Sequence, residues 1–169
     1  IEVIGDPLLH ILRNSIDHGI ESPDDREKLG KPRSGRVVVS ARHQENHIVI
    51  EIEDDGRGID HERVRQKAIQ SGLVTKEAAE RLTEKECLQF IFASGLSTAA
   101  EVSEVSGRGV GMDIVRSNIQ KLGGIIDLET TLGEETRFSL RLPLTLAIIR
   151  GLLVKVSGVV YVIPLGSVI

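Results

Sequence analysis

Tryptophan is absent from this sequence, tyrosine occurs once and phenylalanine three times, so there is no aromatic platform on which nucleic-acid bases could stack. A net charge of −4 removes the basic footprint as well, and nucleic acid is excluded as an expected partner. The single cysteine, Cys87, rules out an internal disulfide framework, and no Cys-x-x-Cys or His/Cys ligand spacing accompanies it. Such cysteine usage points to a reducing compartment, with the cytoplasm as the expected location. Long hydrophobic runs are missing too. "LAIIRGLLV" and "VVYVI" are interrupted and far shorter than a membrane span, and the N-terminus lacks a signal-peptide layout, so no direct membrane insertion is expected. The opening at Ile1 rather than methionine reads as a piece of a longer protein.

What is present is a globular composition: 40% apolar residues over 169 positions suffice for the core of one domain, with room for a fragment of another. The pattern predicts a helix from Asp6 to Ile20, with Asp6 as N-cap and Pro7 in the first helical position. Residues 21–35 are polar and rich in turn formers, with room for a short helix. Two β-like runs follow, Arg36–Arg42 and His47–Asp54, an antiparallel pair joined by "HQEN". Residues 60–71 read as a helix, "TKEAAERLTEKECLQFIF" as one or two more, and "MDIVRSNIQKLGG" as an amphipathic helix closed by glycines. Strands are expected at Ile125–Thr131 and Thr136–Leu142. Residues 93–111 have no periodicity, and a loop of that length in a compact domain is usually functional or disordered. After Pro143 the apolar β-like runs look for strand partners outside this chain, which makes residues 144–169 the opening strands of a second domain after a first at 1–143.

Three stretches carry chemistry. At about 100° per residue, His10, Arg13, Asn14, Asp17 and His18 share one arc of the first helix, opposite Leu8, Leu9, Leu12, Ile16 and Ile20. Solvated helix faces are built from lysine and glutamate, whereas histidine, asparagine and aspartate are mediocre helix formers used where their side chains are needed. "DDGRGI" directly follows a strand. Alone, Asp-x-Gly-x-Gly also fits a turn that merely ends a strand; read functionally, a carboxylate there, Asp54, can accept a hydrogen bond from an exocyclic amine, and glycines let a flat ring approach the backbone. "SGRGVGMDIV" places three alternating glycines before a helix, where free N–H groups form an anion site. The spacing is neither the dinucleotide fingerprint nor a P-loop.

In this order the motifs resemble the GHKL ATPase/kinase superfamily. "HILRNSIDHGIE", "EDDGRGID", "FIFASGLST", "VSGRGVGMDIV" and "RLPLTLAIIRGLLV" are similar, more narrowly, to the catalytic domain of the CheA family of chemotaxis histidine kinases. The resemblance implies the Bergerat ATP-binding fold: an α/β two-layer sandwich with a mixed, mostly antiparallel sheet and helices on one face. It implies that ATP lies between helices and a lid, that Asn14 ligates Mg²⁺, and that Asp54 receives the adenine amine. Gly56, Gly58 and Ile59 would shape the base pocket, and Thr136 would contact the nucleotide. Gly107, Arg108, Gly109, Val110 and Gly111 would close over the phosphates, with Ser94, Ser97 and Thr98 in the lid hinge. His10, Arg13, Asp17 and His18 match the chemotaxis form of the asparagine motif. They place His10 and His18 near the phosphates, with His10, Arg13 and Asn14 catalytic and His10 a second candidate for the metal.

Two departures stand out. The usual G-x-G-T before the last strand reads "GEET", with Glu135 for glycine. Members that hydrolyse ATP to drive a machine carry glutamate four residues before the asparagine, where this chain has His10, which favours transfer over hydrolysis. The implied partners are a histidine-bearing phosphotransfer domain, the adaptor CheW and chemoreceptors reached through residues 144–169, and response regulators indirectly. Two rival readings are an ATPase clamp and a non-catalytic nucleotide-sensing scaffold. His61, although followed by Glu62 and Arg65 in an H-E-x-x-R pattern, reads as a helix-start residue beside the N-cap Asp60. His43 and His47 read as hairpin flanks, and Cys87 as a small buried hydrophobe.

Overall fold

The computed structural model describes residues 2–96, 111–144 and 151–164. Helix α1 spans Glu2–Asn14 and runs directly into a π-helical turn at Ser15–Gly19. After it come α2 (Pro23–Lys28), the hairpin of β1 (Val37–Gln44) and β2 (His47–Asp54), and α3 (His61–Gln70). Short helices α4 (Lys76–Ala79) and α5 (Glu84–Leu88) lead into a 3₁₀ turn at Gln89–Phe92, and α6 (Met112–Lys121) precedes the hairpin of β3 (Ile125–Thr131) and β4 (Glu135–Pro143).

The four strands form one sheet in the order β1-β2-β4-β3. The mixed sheet expected from the resemblance is antiparallel at every described pairing, because two hairpins join through β2 and β4 running in opposite directions. Alternation along β4 sends Thr136, Phe138 and Leu140 to a buried face, and Ile52, Asp54, Ile126 and Leu128 join them from the neighbouring strands. Onto that face α1 brings Ile11, α6 brings Val115 and Ile119, and the 3₁₀ turn brings Phe92. Phe92 meets Phe138 edge-on, with centroids 6.5 Å apart and planes at 85°. The opposite face carries cross-strand ion pairs, among them Arg42 with Glu51 and Arg137 with Glu53. The architecture is a two-layer α/β sandwich with helices on one face.

The first helix differs from the reading of its sequence. Asp6 is not its N-cap and Pro7 lies inside it, because the helix already runs from Glu2. Pro7 lacks the N–H that would bond back to the preceding turn, and the helix nevertheless runs on through it. The buried seam is Pro7, Ile11 and Ser15, four residues apart, whereas Leu9 and Ile16 of the supposed apolar arc are 65% and 60% exposed. Apolar residues flank the seam on both sides, and periodicity alone does not say which stripe the sheet covers.

The last strands also differ. β5 (Gly151–Val156) and β6 (Val159–Pro164) pair with each other, antiparallel, through a Ser157-Gly158 turn in which both residues have positive φ. Each thus has its partner within this chain. Leu153, Val160 and Val162 remain exposed on the hairpin.

Candidate functional site

Asp54 ends β2 and is 2% exposed, the most deeply buried carboxylate among the described residues. Burial pushes its carboxyl above the usual aspartate range. The Ser15 hydroxyl and the Gly56 N–H, which donates to Oδ1 at 3.1 Å, pull the other way, while Asp55 and Glu21 add to the rise. The Ser15 hydroxyl is likewise buried and lies near enough to ease the charge, but it has no partner in hydrogen-bonding geometry among the described residues. Two polar groups with unused capacity therefore face each other's neighbourhood in a dry place.

Glycines frame them. A side-chain carbon on Gly19 would stand 3.2 Å from Asp54 Oδ1, and one on Gly56 would strike the Gly19 carbonyl oxygen at 2.2 Å. The π turn is what brings Gly19 here: it widens the helix by one residue after Asn14, and Gly19 then accepts the Arg57 N–H at 2.9 Å. Gly58 has a different task. Its φ of +68° and a would-be Cβ contact of 2.3 Å with the Thr131 carbonyl press it against the β3–β4 turn rather than toward Asp54. Ile59 is held by its backbone, its N–H donating to Thr130 Oγ at 3.0 Å, while its side chain packs into both hydrophobic clusters. Thr136 is buried directly opposite Asp54 in the β2–β4 ladder, with its hydroxyl 3.4 Å from that of Thr130.

Asn14, half-buried, donates from Nδ2 to Met112 Sδ at 3.1 Å, which ties the end of α1 to the start of α6 and leaves its amide oxygen as the atom for a cation. Gly111 is the N-cap of α6 and, having no side chain, contributes no side-chain hydrogen bond to the first N–H groups of this ten-residue helix, whose Ile114 N–H returns to the Gly111 carbonyl at 3.1 Å. His10, one turn earlier, is half-buried. Burial lowers its pKa, with the charges of Arg13 and His18 acting in the same direction and Asp113 opposing, so the surroundings disfavour the imidazolium form. Arg13, Asp17 and His18 are on the exposed side. Ser94 is exposed in the turn after Phe92. Ser97, Thr98, Gly107, Arg108, Gly109 and Val110 lie outside the described residues.

Glu135 takes the first position of β4, near Arg137 at 3.7 Å, while Gly133 carries the turn at φ +84°. The extra charge is thus absorbed by an arginine that also pairs with Glu53 and Glu129. His61 follows the Asp60 N-cap, whose carboxylate accepts the Glu62 and Arg63 N–H groups. Cys87 is fully buried, as expected, and also accepts from Arg65 Nε at 3.3 Å.

These features, in this order on a sheet of this topology, match one family. The profile of "Histidine kinase-, DNA gyrase B-, and HSP90-like ATPase" covers residues 4–146. The chain belongs to that family. Over all 169 residues it is 52% identical to the sensor histidine kinase CheAY of Helicobacter pylori and 47% identical to the chemotaxis protein CheA of Bacillus subtilis. Over 168 residues it is 47% identical to the chemotaxis protein CheA of Salmonella typhimurium. The chain spans 21%, 25% and 25% of the lengths of these three relatives.

One feature beside Asp54 had no counterpart in the reading of the sequence. Residues 21–35, read as a polar connection, hold a buried ionic cluster. Arg26 is 1% exposed and donates from Nε to the Pro32 carbonyl (2.7 Å), from Nη1 to Glu21 Oε2 (3.0 Å) and the Asp55 carbonyl (3.1 Å), and from Nη2 to Asp55 Oδ2 (2.9 Å). Burial alone would raise the Glu21 carboxyl, but Lys31 and Arg26 hold it below the usual range. Asp55 is likewise lowered against its burial, by the Arg36 N–H and Arg26. The short helix for which this stretch had room forms, with Ser22 as its N-cap and Pro23 in its first turn, but the burial of Arg26 had no local signal.

Proposed function

We propose that this chain is the ATP-binding catalytic domain of a chemotaxis histidine kinase, which holds Mg·ATP and passes the γ-phosphoryl group to a histidine on a separate phosphotransfer domain. Near-half identity along the whole chain to proteins of that name supports the reading. The observation that carries it is the desolvated Asp54 carboxylate beside a Ser15 hydroxyl with no hydrogen-bond partner among the described residues, walled by Gly19 and Gly56, which suits a flat base with an exocyclic amine.

Asp54 accepts the adenine amine, and the glycines let the ring reach it. The N–H groups at the start of α6, which receive no side-chain cap from Gly111, and His10 donate to phosphate oxygens. Asn14 offers the amide oxygen that would hold Mg²⁺ jointly with the phosphates, and the metal there supplies charge neutralisation. Among the described residues no group of three or more His, Cys, Asp or Glu could hold a metal. The incoming imidazole nitrogen attacks the γ-phosphorus, its bond to the ADP oxygen breaks, ADP departs, and the imidazole proton passes to solvent. Positioning and charge carry such a step, so no strong base is needed. His10 in place of glutamate favours this transfer over attack by water.

Residues 144–169, including the β5–β6 hairpin, begin the regulatory domain in this reading, through which CheW and chemoreceptors engage in the cytoplasm, with response regulators acting downstream. No described helix is long and apolar enough to cross a membrane. The test is radiolabelled Mg·ATP with and without a histidine-bearing phosphotransfer domain of the same kinase. Acid-labile, alkali-stable label on that domain only is the expected result. Label on this chain that disappears in His61→Gln, or hydrolysis without transfer, would refute it.

A further inference from the structure

Lys31 reaches into the loop that follows Asp54. Its ammonium has three N–H donors and meets three acceptors: Glu21 Oε1 at 2.9 Å, the Asp55 carbonyl at 3.0 Å and the Gly56 carbonyl at 2.7 Å. The side chain is 17% exposed and Glu21, which anchors it, is 5% exposed, so little water competes for these bonds. Arg26 Nη1 grips the same Asp55 carbonyl from within the protein.

That carbonyl and the Gly56 N–H belong to one planar peptide unit, in which oxygen and hydrogen point in opposite directions. Fixing the oxygen therefore aims the hydrogen, and the Gly56 N–H is the group that donates to Asp54 Oδ1. Two cations hold one end of the peptide, and the carboxylate is held by the other. The second carbonyl bound by Lys31, that of Gly56, fixes the following peptide as well, and with it the approach of Gly56 to Gly19.

We propose that Lys31, anchored by Glu21 beside Arg26, is a positioning residue for base selection: by holding the Asp55–Gly56 peptide it aims the Gly56 N–H at Asp54 Oδ1 and leaves the second carboxylate oxygen set for the exocyclic amine. The inference rests on the proposed base-reading role of Asp54. It predicts an effect confined to the amine. A loose loop weakens recognition of the 6-amino group, while the phosphate contacts at α6 and Asn14 lie on other elements.

The experiment compares Mg·ATP with Mg·purine riboside 5′-triphosphate, which carries hydrogen in place of the 6-amino group, by calorimetry on the full chain. The unsubstituted protein is expected to prefer ATP by at least about tenfold, the effect of leaving a buried acceptor unpaired. Lys31→Met is expected to compress that preference to within about threefold, chiefly through weaker ATP binding. Equal losses for both nucleotides, or an unchanged ratio, would make Lys31 merely structural and overturn the proposal. No preference in the unsubstituted protein would overturn the reading of Asp54 itself, and the two failures are thereby told apart. Should Lys31→Met not fold, Glu21→Gln, which keeps the shape and removes the charge that anchors Lys31, provides the same comparison with the same overturning outcomes.

Discussion

Gly19 and Gly56, 37 positions apart in sequence, touch backbone to backbone: a side-chain carbon on Gly56 would lie 2.2 Å from the Gly19 carbonyl oxygen and 2.8 Å from Asp54 Oδ1. Backbone cannot yield as a flexible side chain can, so Gly56→Ala must spread the two loops that enclose Asp54. We expect a stability loss of about 1–3 kcal/mol by denaturant titration. Adenine-nucleotide affinity should fall at least about tenfold, the scale of one misaligned buried hydrogen bond. Full retention of affinity would place the base elsewhere.

Asp54→Asn should separate binding from folding. Burial raises the Asp54 pKa, so the folded chain holds that proton more tightly than the unfolded one, and the ionised carboxylate opposes folding. This cost is full above the raised pKa and disappears as pH falls through it toward the ordinary aspartate range. The variant should therefore match or exceed the unsubstituted protein in thermal stability near neutral pH, with the acid-side dependence reduced. Its ATP affinity should drop about a hundredfold, as an amine meets an amide in place of a carboxylate. In the unsubstituted chain ATP binding should weaken as pH falls through the raised pKa, because protonation removes the charged acceptor.

His10 gives the opposite pH signature. Burial, followed by the charges of Arg13 and His18, lowers its pKa, so the folded chain resists protonation that the unfolded chain accepts. Stability associated with the neutral ring is full above the ordinary histidine range and is lost as pH falls from there through the lowered folded value. His10→Gln should flatten that part of the stability profile measured by thermal melts. A slope that persists unchanged would assign the titration to another group.

Asn14→Ala tests the metal. ATP binding with Mg²⁺ should weaken by about tenfold or more, while binding with a chelator present should change much less. Equal losses in both conditions would mean that Asn14 acts through its contact with Met112 rather than through a cation.

Much of this molecule was readable one segment at a time. The bounds of β2 and β3 agree with the sequence reading residue for residue, Asp60 caps α3 as its side chain predicted, and the order of the asparagine helix, D-x-G-x-G and G-x-G-x-G pointed to the family. Alternation, capping and turn chemistry are set by neighbours a few residues away, so sequence alone determines them. Tertiary structure decided the rest. Which stripe of α1 is buried depends on what the sheet offers it, so Leu9 and Ile16 face solvent while Ser15 is enclosed beside Asp54. The burial of Arg26 requires Asp55, 29 positions away, to be folded against it. The Gly19–Gly56 contact exists only once a π turn has advanced the chain by one residue. Each of these joins distant segments through close packing, and no local pattern encodes the partner.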